Sequence, residues 1–237
     1  MSTQALAFDL PKIFAKKSKP YFEQSVDGEI YAISAAKTSN LKKVAAAGMV
    51  PRGAAVLTPS GALKNDGILH IIHAAPGAMT ESGKYFDPTL KGLRLSLRNT
   101  IELAKKQNLS CIAMPFIGGG IFLHAFKMTK EQLAKDIVVT LKKLKPATEI
   151  VFVTWGQEDT EIFKKLLDAK IGTPNFRLVP GSITDFKAHQ CSTIVNAANM
   201  EIVFGGGISG VIGNATQKSA EINGGARQLI EKYYQQE

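Results

Sequence analysis

Long hydrophobic runs and metal-ligand clusters are scarce in this sequence. Its 237 residues include only two cysteines, four histidines and one tryptophan. No apolar run approaches the roughly 20 residues that a membrane span requires. The first ten residues, MSTQALAFDL, have neither the basic start nor the apolar core of a secretory signal. We therefore expect a cytoplasmic protein with no membrane segment.

The two cysteines give little sign of a metal or redox site. Cys111 and Cys191 both lie in apolar runs, and neither belongs to a C-x-x-C motif or a Cys/His cluster. This context predicts two separately buried thiols, not a disulfide. His70 and His73 are three residues apart in a strand-like run and would point to opposite faces, so they make a poor metal pair. The sequence predicts no metal and no cofactor.

The charge balance is strongly basic. The chain carries 29 Lys and Arg against 20 Asp and Glu, a formal net charge of +9. A positive field favours polyanions such as nucleic acid or a phosphate-bearing ligand. The lysines are spread over predicted helix faces, with a denser run at Lys16, Lys17 and Lys19. Two interpretations remain open: solvated helix faces, or a surface that binds single-stranded RNA or poly-purine.

Apolar strand-like segments alternate with amphipathic helical segments from residue 54 onwards. Leu93, Leu97 and Ile101 follow helical spacing, with Arg94 and Arg98 on the other face, and a capping box precedes a second helix over residues 129–144. The alternation predicts an α/β fold with helices on both faces of a mixed or parallel sheet. The predicted strands are 54–58, 68–74, 110–117, 149–155, 176–184 and 192–199.

Residues 1–50 show little periodicity apart from a short helix predicted over residues 41–48, with Ser39 as its cap and Gly48 at its end. We treat 1–50 as an N-terminal extension that packs on the domain, or that targets it to a partner, and 51–237 as the domain itself.

Two glycine triplets, 118–120 and 205–207, each follow an apolar strand and precede a predicted helix. The second, in GGGISG, formally fits G-x-G-x-x-G. Residues 211–237 leave no room for the further strand and acidic residue of a dinucleotide fold, and no GK[ST] follows. Glycines allow backbone N–H groups to approach a phosphate closely, and a helix N-terminus adds positive potential. Two such loops at strand ends predict a diphosphate site, with Asn196 and Asn199 placed to contact a sugar.

The motifs around these loops resemble those of the macro domain, an ADP-ribose-binding module. GSIT, IVNAAN and GGGISG are similar to the opening of that family, and ILHIIHAAPG, SCIAMPFIGGGIF and EIVFVTW to its second half. Here the order is reversed. Residues 51–170 match the usual C-terminal half and 175–237 the usual N-terminal half, joined by IGTPN. The resemblance therefore implies a three-layer α/β/α macro-like fold with a mixed sheet, in circularly permuted order.

The resemblance also implies a ligand-binding site. Asn199 would contact the ribose nearest the diphosphate, Asn196 would brace its loop, and Trp155 would lie beside the adenine. The two glycine loops would enclose the diphosphate. The implied ligand-binding residues are Gly118, Gly119, Gly120, Ile121, Phe122, Trp155, Ser182, Ile183, Asn196, Asn199, Gly205, Gly206, Gly207 and Ile208.

Two positions depart from the family pattern. Ser182 replaces the aspartate that accepts from the adenine amino group, and Ser209 replaces the aspartate that the hydrolytic members use with water. The remaining catalytic candidates are Asn199, Ser209 and His73. Because a serine with no adjacent base cannot activate water as a carboxylate does, we expect binding without efficient turnover. The alternative is a slow ADP-ribosyl or O-acetyl-ADP-ribose hydrolase. The expected partner is ADP-ribose or an ADP-ribosylated macromolecule, and the motifs do not determine the oligomeric state.

Overall fold

A mixed β-sheet forms the centre of the molecule. The computed structural model describes residues 19–24, 29–35, 44, 46–78, 87–169 and 175–235. Within these residues eight strands pair in the order β1-β2-β3-β4-β8-β5-β6-β7. The strands are β1 (Tyr21–Gln24), β2 (Ile30–Ser34), β3 (Ala55–Pro59), β4 (His70–Ala74), β5 (Cys111–Pro115), β6 (Glu149–Thr154), β7 (Phe176–Pro180) and β8 (Thr193–Ala197).

The sheet has an antiparallel half and a parallel half. Strands β1 to β4 pair antiparallel with their neighbours, whereas β4, β8, β5, β6 and β7 pair parallel. In β6, Ile150 and Phe152 pack into the core on one face, while Val151 and Val153 pack into the core on the other. Burial on both faces explains why this strand is continuously apolar.

Helices cover both faces of the sheet. One face carries α1, α3 and α4, and the other carries α6, α7 and a short 3₁₀ helix at Gly61–Asp66. The predicted three-layer α/β/α fold is confirmed. The helices are α1 (Leu90–Lys106), α2 (Leu123–Phe126), α3 (Lys130–Leu144), α4 (Gln157–Asp168), α5 (Phe186–His189), α6 (Gly207–Thr216) and α7 (Ser219–Gln235). No helix in the described ranges combines the length and apolar character that a bilayer crossing needs.

Local sequence signals predicted α1 and α3 well. Leu93 and Leu97 are fully buried, and the capping box of α3 is confirmed because Thr129 and Gln132 exchange both hydrogen bonds. Arg94 and Arg98, which the sequence placed on the other face of this helix, are also buried. Arg94 pairs with Asp136 of α3, a contact between two helices that the spacing within one helix cannot reveal.

Strands β1 and β2 were not predicted from the sequence. They extend the antiparallel half of the sheet beyond β3, and α7 packs over β2 and β3. Half of the helix predicted over 41–48, together with Lys16, Lys17 and residues 171–174 of the predicted link, lies outside the described residues.

The prediction of two separate thiols is wrong. Cys111 and Cys191 are joined as a disulfide, with their Cα atoms 5.2 Å apart. Cys111 begins β5 and Cys191 precedes β8, its neighbour in the sheet. The sequence separation of 80 explains why the spacing of the cysteines gave no indication of the pairing.

Candidate ligand-binding site

A cavity of about 800 Å³ opens at the carboxyl ends of four parallel strands. Each of β8, β5, β6 and β7 contributes the residues at or just after its end, including Ala197, Phe116, Trp155 and Gly181. This edge is where ligands bind in open α/β sheets, because the loops that follow parallel strands all emerge on the same side. The sheet order therefore brings together loops that are far apart in the sequence.

Most of the predicted ligand-binding residues line this cavity. Gly119 and Asn196 do not. The structure adds Phe116, Val153, Asp159 and Val211, which sequence reasoning did not single out. The predicted residues that line the cavity are Gly118, Gly120, Ile121, Phe122, Trp155, Ser182, Ile183, Asn199, Gly205, Gly206, Gly207 and Ile208, together with the catalytic candidate Ser209.

The glycine loop at 205–207 leads into the N-terminus of α6. Gly206 is the N-cap, and Gly207 has a φ of 58°, in the left-handed region. A Cβ atom added to Gly205 or Gly206 would meet no atom within 4 Å, and neither residue has a positive φ. Contacts within the chain therefore do not require glycine at these two positions. The unpaired N–H groups at the start of a helix favour an anion.

The glycine triplet at 118–120 is different, because packing accounts for two of its members. Gly118 has a φ of 86°, and a Cβ there would lie 2.6 Å from Phe126. A Cβ on Gly119 would lie 2.3 Å from Phe116. Gly120 has open space around it and lines the cavity. This loop is tightly packed against the core, and only its last glycine is open to a ligand.

Asn199 holds the turn that leads from β8 to the second glycine loop. Its amide nitrogen donates to the Val203 carbonyl at 3.2 Å, and its amide oxygen accepts from the Val203 N–H at 3.1 Å. Each amide end has capacity for one more hydrogen bond. Asn199 can therefore contact a ligand hydroxyl while keeping its loop in place.

A chain of buried polar groups runs behind the cavity wall to Ser209. The Asn196 amide nitrogen donates to Ser209 Oγ and to His73 Nδ1, both at 3.2 Å. His73 Nε2 lies 2.9 Å from Thr58 Oγ1. Because Nδ1 accepts, Nε2 carries the proton of a neutral imidazole. Ser209 Oγ also accepts from the Gly205 N–H at 3.4 Å, so the serine hydroxyl is left to donate towards the cavity.

His73 therefore supports the cavity wall through hydrogen bonds and does not itself line the cavity. Its side chain is buried, and burial lowers its pKa to about 3. His124, the histidine that follows the glycine loop at 118–120, is exposed on α2 and also does not line the cavity. Neither imidazole is in a position to take a proton from a water molecule at Ser209.

A second histidine supports the floor of the cavity at Ile183. His189 Nδ1 accepts from the Cys191 N–H at 3.1 Å, so its Nε2–H donates to the Ile183 carbonyl at 3.0 Å. Burial lowers the pKa of His189. Beside Ile183, Ser182 Oγ accepts from the Thr184 N–H at 3.3 Å and closes a tight turn.

Exposed apolar side chains surround the mouth of the cavity. Among the described residues, five large hydrophobic side chains are exposed, and three of them line this cavity. These are Trp155 at 77%, Ile121 at 64% and Val211 at 49% exposure. Clustered exposed apolar groups mark a binding surface more often than chance placement does.

No three His, Cys, Asp or Glu side chains come together as metal ligands in the part of the chain that the structure describes.

The neutral state of His73 makes stability depend on pH. The folded pKa is about 3 against 6.5 in the unfolded chain, so the unfolded chain takes up the proton first as the pH falls. The contribution of neutral His73 to the free energy of unfolding is fully present above pH 6.5 and is lost progressively below it. Between pH 6.5 and 5 we expect His73 alone to lower the free energy of unfolding by about 2 kcal/mol, measured by urea titration.

His73→Gln should remove that part of the pH dependence, whereas His124→Gln, at an exposed position, should leave it intact. If His73→Gln does not fold, the imidazole of the unaltered chain can be titrated by NMR. A folded His73 that protonates near pH 6 would contradict the assignment.

Comparison with known proteins agrees with this geometry. The sequence model of the Macro domain matches residues 19–133. An O-acetyl-ADP-ribose deacetylase of Klebsiella pneumoniae is 26% identical over 120 residues, which are 51% of this chain and 65% of that protein. The deacetylase of the same name from Salmonella typhimurium is 24% identical over 115 residues, 48% of this chain and 61% of that protein.

A third relative, an uncharacterized protein of Aquifex aeolicus, is 29% identical over 120 residues, 50% of this chain and 66% of its own length. The chain thus spans less than two thirds of the length of these relatives. The Macro match includes the loop at 118–120 but not the loop at 205–207. With the three-layer fold, these matches show that the chain is similar to the macro domain family over residues 19–133.

Proposed function

We propose that this protein binds ADP-ribose, or a group derived from it, with the diphosphate between the two glycine loops. The observation that carries the proposal is the loop at 205–207. Gly205 and Gly206 are exposed to the cavity, and internal packing does not require glycine at either position. They stand at the N-terminus of a ten-residue helix, where N–H groups and the helix dipole attract a phosphate.

The rest of the cavity is suited to a nucleoside diphosphate sugar. Its volume of about 800 Å³ lies within the range of small-molecule sites. Trp155 offers an exposed ring for stacking on a base. No lysine or arginine of the described ranges lines the cavity, so backbone N–H groups would hold the diphosphate. The names of the bacterial deacetylase relatives support the same ligand class.

Gly206→Ala is the direct test of the phosphate loop. The backbone of Gly206 is extended, with a φ of −85°, so alanine fits without strain. Its methyl group would occupy the space that the proposal gives to a phosphate oxygen. We expect unchanged thermal stability and at least about tenfold weaker binding of ADP-ribose, measured by isothermal titration calorimetry.

Gly224→Ala is the matched control. Gly224 lies in α7 and has no atom within 4 Å of an added Cβ, so this alanine should raise stability slightly and leave affinity unchanged. Equal ADP-ribose affinity in Gly206→Ala and the unaltered chain would contradict the proposal.

Titration of oligoadenylate at two salt concentrations tests the basic surface, because phosphate contacts on such a surface weaken steeply with salt.

A second candidate function is hydrolysis of an acyl or ADP-ribosyl bond, which the deacetylase names of two relatives favour. Ser209 donates into the cavity and has no base beside it, so we infer that hydrolysis is slow. General-base catalysis contributes roughly 100-fold or more. Ser209→Asp should therefore raise acetate release from O-acetyl-ADP-ribose by about that factor, while Ser209→Ala stays at the basal rate. If the unaltered chain releases acetate at an appreciable rate and Ser209→Ala loses that rate, Ser209 itself is catalytic.

We also propose that the domain is circularly permuted, with residues 51–170 as the usual second half and 175–237 as the usual first half. The support is that β8 and its glycine loop come late in the chain, yet β8 pairs between β4 and β5. The Macro match ends at residue 133, while GSIT, IVNAAN and GGGISG all follow residue 180.

A rearranged chain tests this permutation. Residues 175–237 followed by 1–169 would restore the usual order without removing any strand. We expect the same circular dichroism spectrum and the same ADP-ribose affinity as the unaltered chain, because the strand contacts do not depend on which ends are joined. A control that opens the chain between residues 151 and 152 breaks a central strand and should not fold. If the chain that runs 175–237 and then 1–169 fails to fold, as the control does, the permutation is contradicted.

A further inference from the structure

Asp159 is the single charged side chain among the described residues that line the cavity. This described part of the lining contains no lysine, arginine, histidine or glutamate, although the chain carries a net charge of +9. An acid in an otherwise uncharged site cannot hold a phosphate, since like charges repel. The carboxylate is suited to accept a hydrogen bond from an N–H or O–H group of a ligand.

An ion pair fixes the position of Asp159. The residue lies in the first turn of α4, and its side chain is 18% exposed. Lys130 Nζ donates to Asp159 Oδ1 at 2.8 Å and to Glu158 Oε2 at 2.6 Å. These hydrogen bonds raise the pKa of Lys130, so the lysine stays charged and holds the Asp159 carboxyl group in place. A carboxylate has about four acceptor sites, and one hydrogen bond from Lys130 leaves capacity for a ligand.

The strand order separates Asp159 from the 205–207 loop. That loop follows β8, and the glycines at 118–120 follow β5. Asp159 and Trp155 follow β6, the next strand along the edge. Strands are spaced about 4.8 Å apart, which puts the end of β6 about 10 Å from the end of β8. A ligand with its diphosphate at the glycine loops would extend along this edge and bring its base to β6 and β7.

Apolar side chains share this end of the cavity with Asp159. Trp155, Val153 and Ile183 provide the surface that a flat aromatic ring requires. Ser182, which follows β7, is uncharged and is engaged with Thr184. The carboxylate able to make a charge-assisted hydrogen bond with a base is therefore Asp159.

We propose that Asp159, held by Lys130, accepts a hydrogen bond from the amino group of the bound base and so selects an aminopurine nucleotide. The inference rests on the proposed function and adds the residue that determines base specificity. Sequence reasoning missed it because an acid in the first turn of a helix is ordinary and favourable. The usable signal was its position four residues after Trp155 at a strand end.

The test compares ADP with purine riboside 5′-diphosphate, which lacks only the amino group. The unaltered chain should bind ADP at least about tenfold more tightly, the ratio that a hydrogen bond to a charged group supplies. In Asp159→Asn that preference should fall several-fold, because the acceptor loses its charge, and in Asp159→Ala it should disappear. Calorimetry measures all six affinities, and circular dichroism checks the fold.

Glu158→Gln is the matched control. Glu158 shares Lys130 with Asp159, but its side chain is 69% exposed and does not line the cavity. The variant weakens the same ion-pair cluster and should keep the full preference for ADP. An unchanged preference in Asp159→Ala, with ADP-ribose still bound, overturns this inference and leaves the proposed function standing. Absence of binding of ADP-ribose and both diphosphates by the unaltered chain overturns both.

Discussion

The pairing of β8 between β4 and β5 is the constraint on which the site depends. β8 lies near the end of the sequence, yet it occupies the middle of the parallel half of the sheet. Its position brings the loop at 205–207 beside the loop at 118–120, which follows β5. It also aligns Asn196 with His73 in the strand register. A different partner for β8 would leave each glycine loop as an isolated turn.

Behind the cavity, buried histidines act as neutral hydrogen-bonding supports. Neutral His73 accepts from Asn196, which in turn holds Ser209, and His189 supports the carbonyl of Ile183. Burial lowers the pKa of both histidines and keeps each imidazole in one protonation state. Around Ser209 the described part of the cavity wall therefore presents fixed donors and no imidazole base, an arrangement that favours holding an anionic ligand over activating water.

Charge in this protein is divided between the surface and the site. Lysines and arginines exceed acids over the whole chain, but the described residues of the cavity lining carry one carboxylate and no cation. The net charge therefore favours the approach of anions in general, whereas the proposed selection in the cavity would rely on helix N–H groups, apolar surfaces and Asp159. The two properties are physically separate, so composition alone says little about which ligand is bound.

The sequence by itself determined the class of fold, the capping box of α3, and most of the residues that line the cavity. Those features depend on periodicity and on short motifs such as NAAN and GGG, whose members are close along the chain. Tertiary structure decided the rest. The Cys111–Cys191 disulfide, the Arg94–Asp136 pair, the added strands β1 and β2, and the place of Asp159 in the cavity all depend on partners far apart in sequence. Only strand order and helix packing create such contacts, because spacing within a segment carries no information about its neighbours in space.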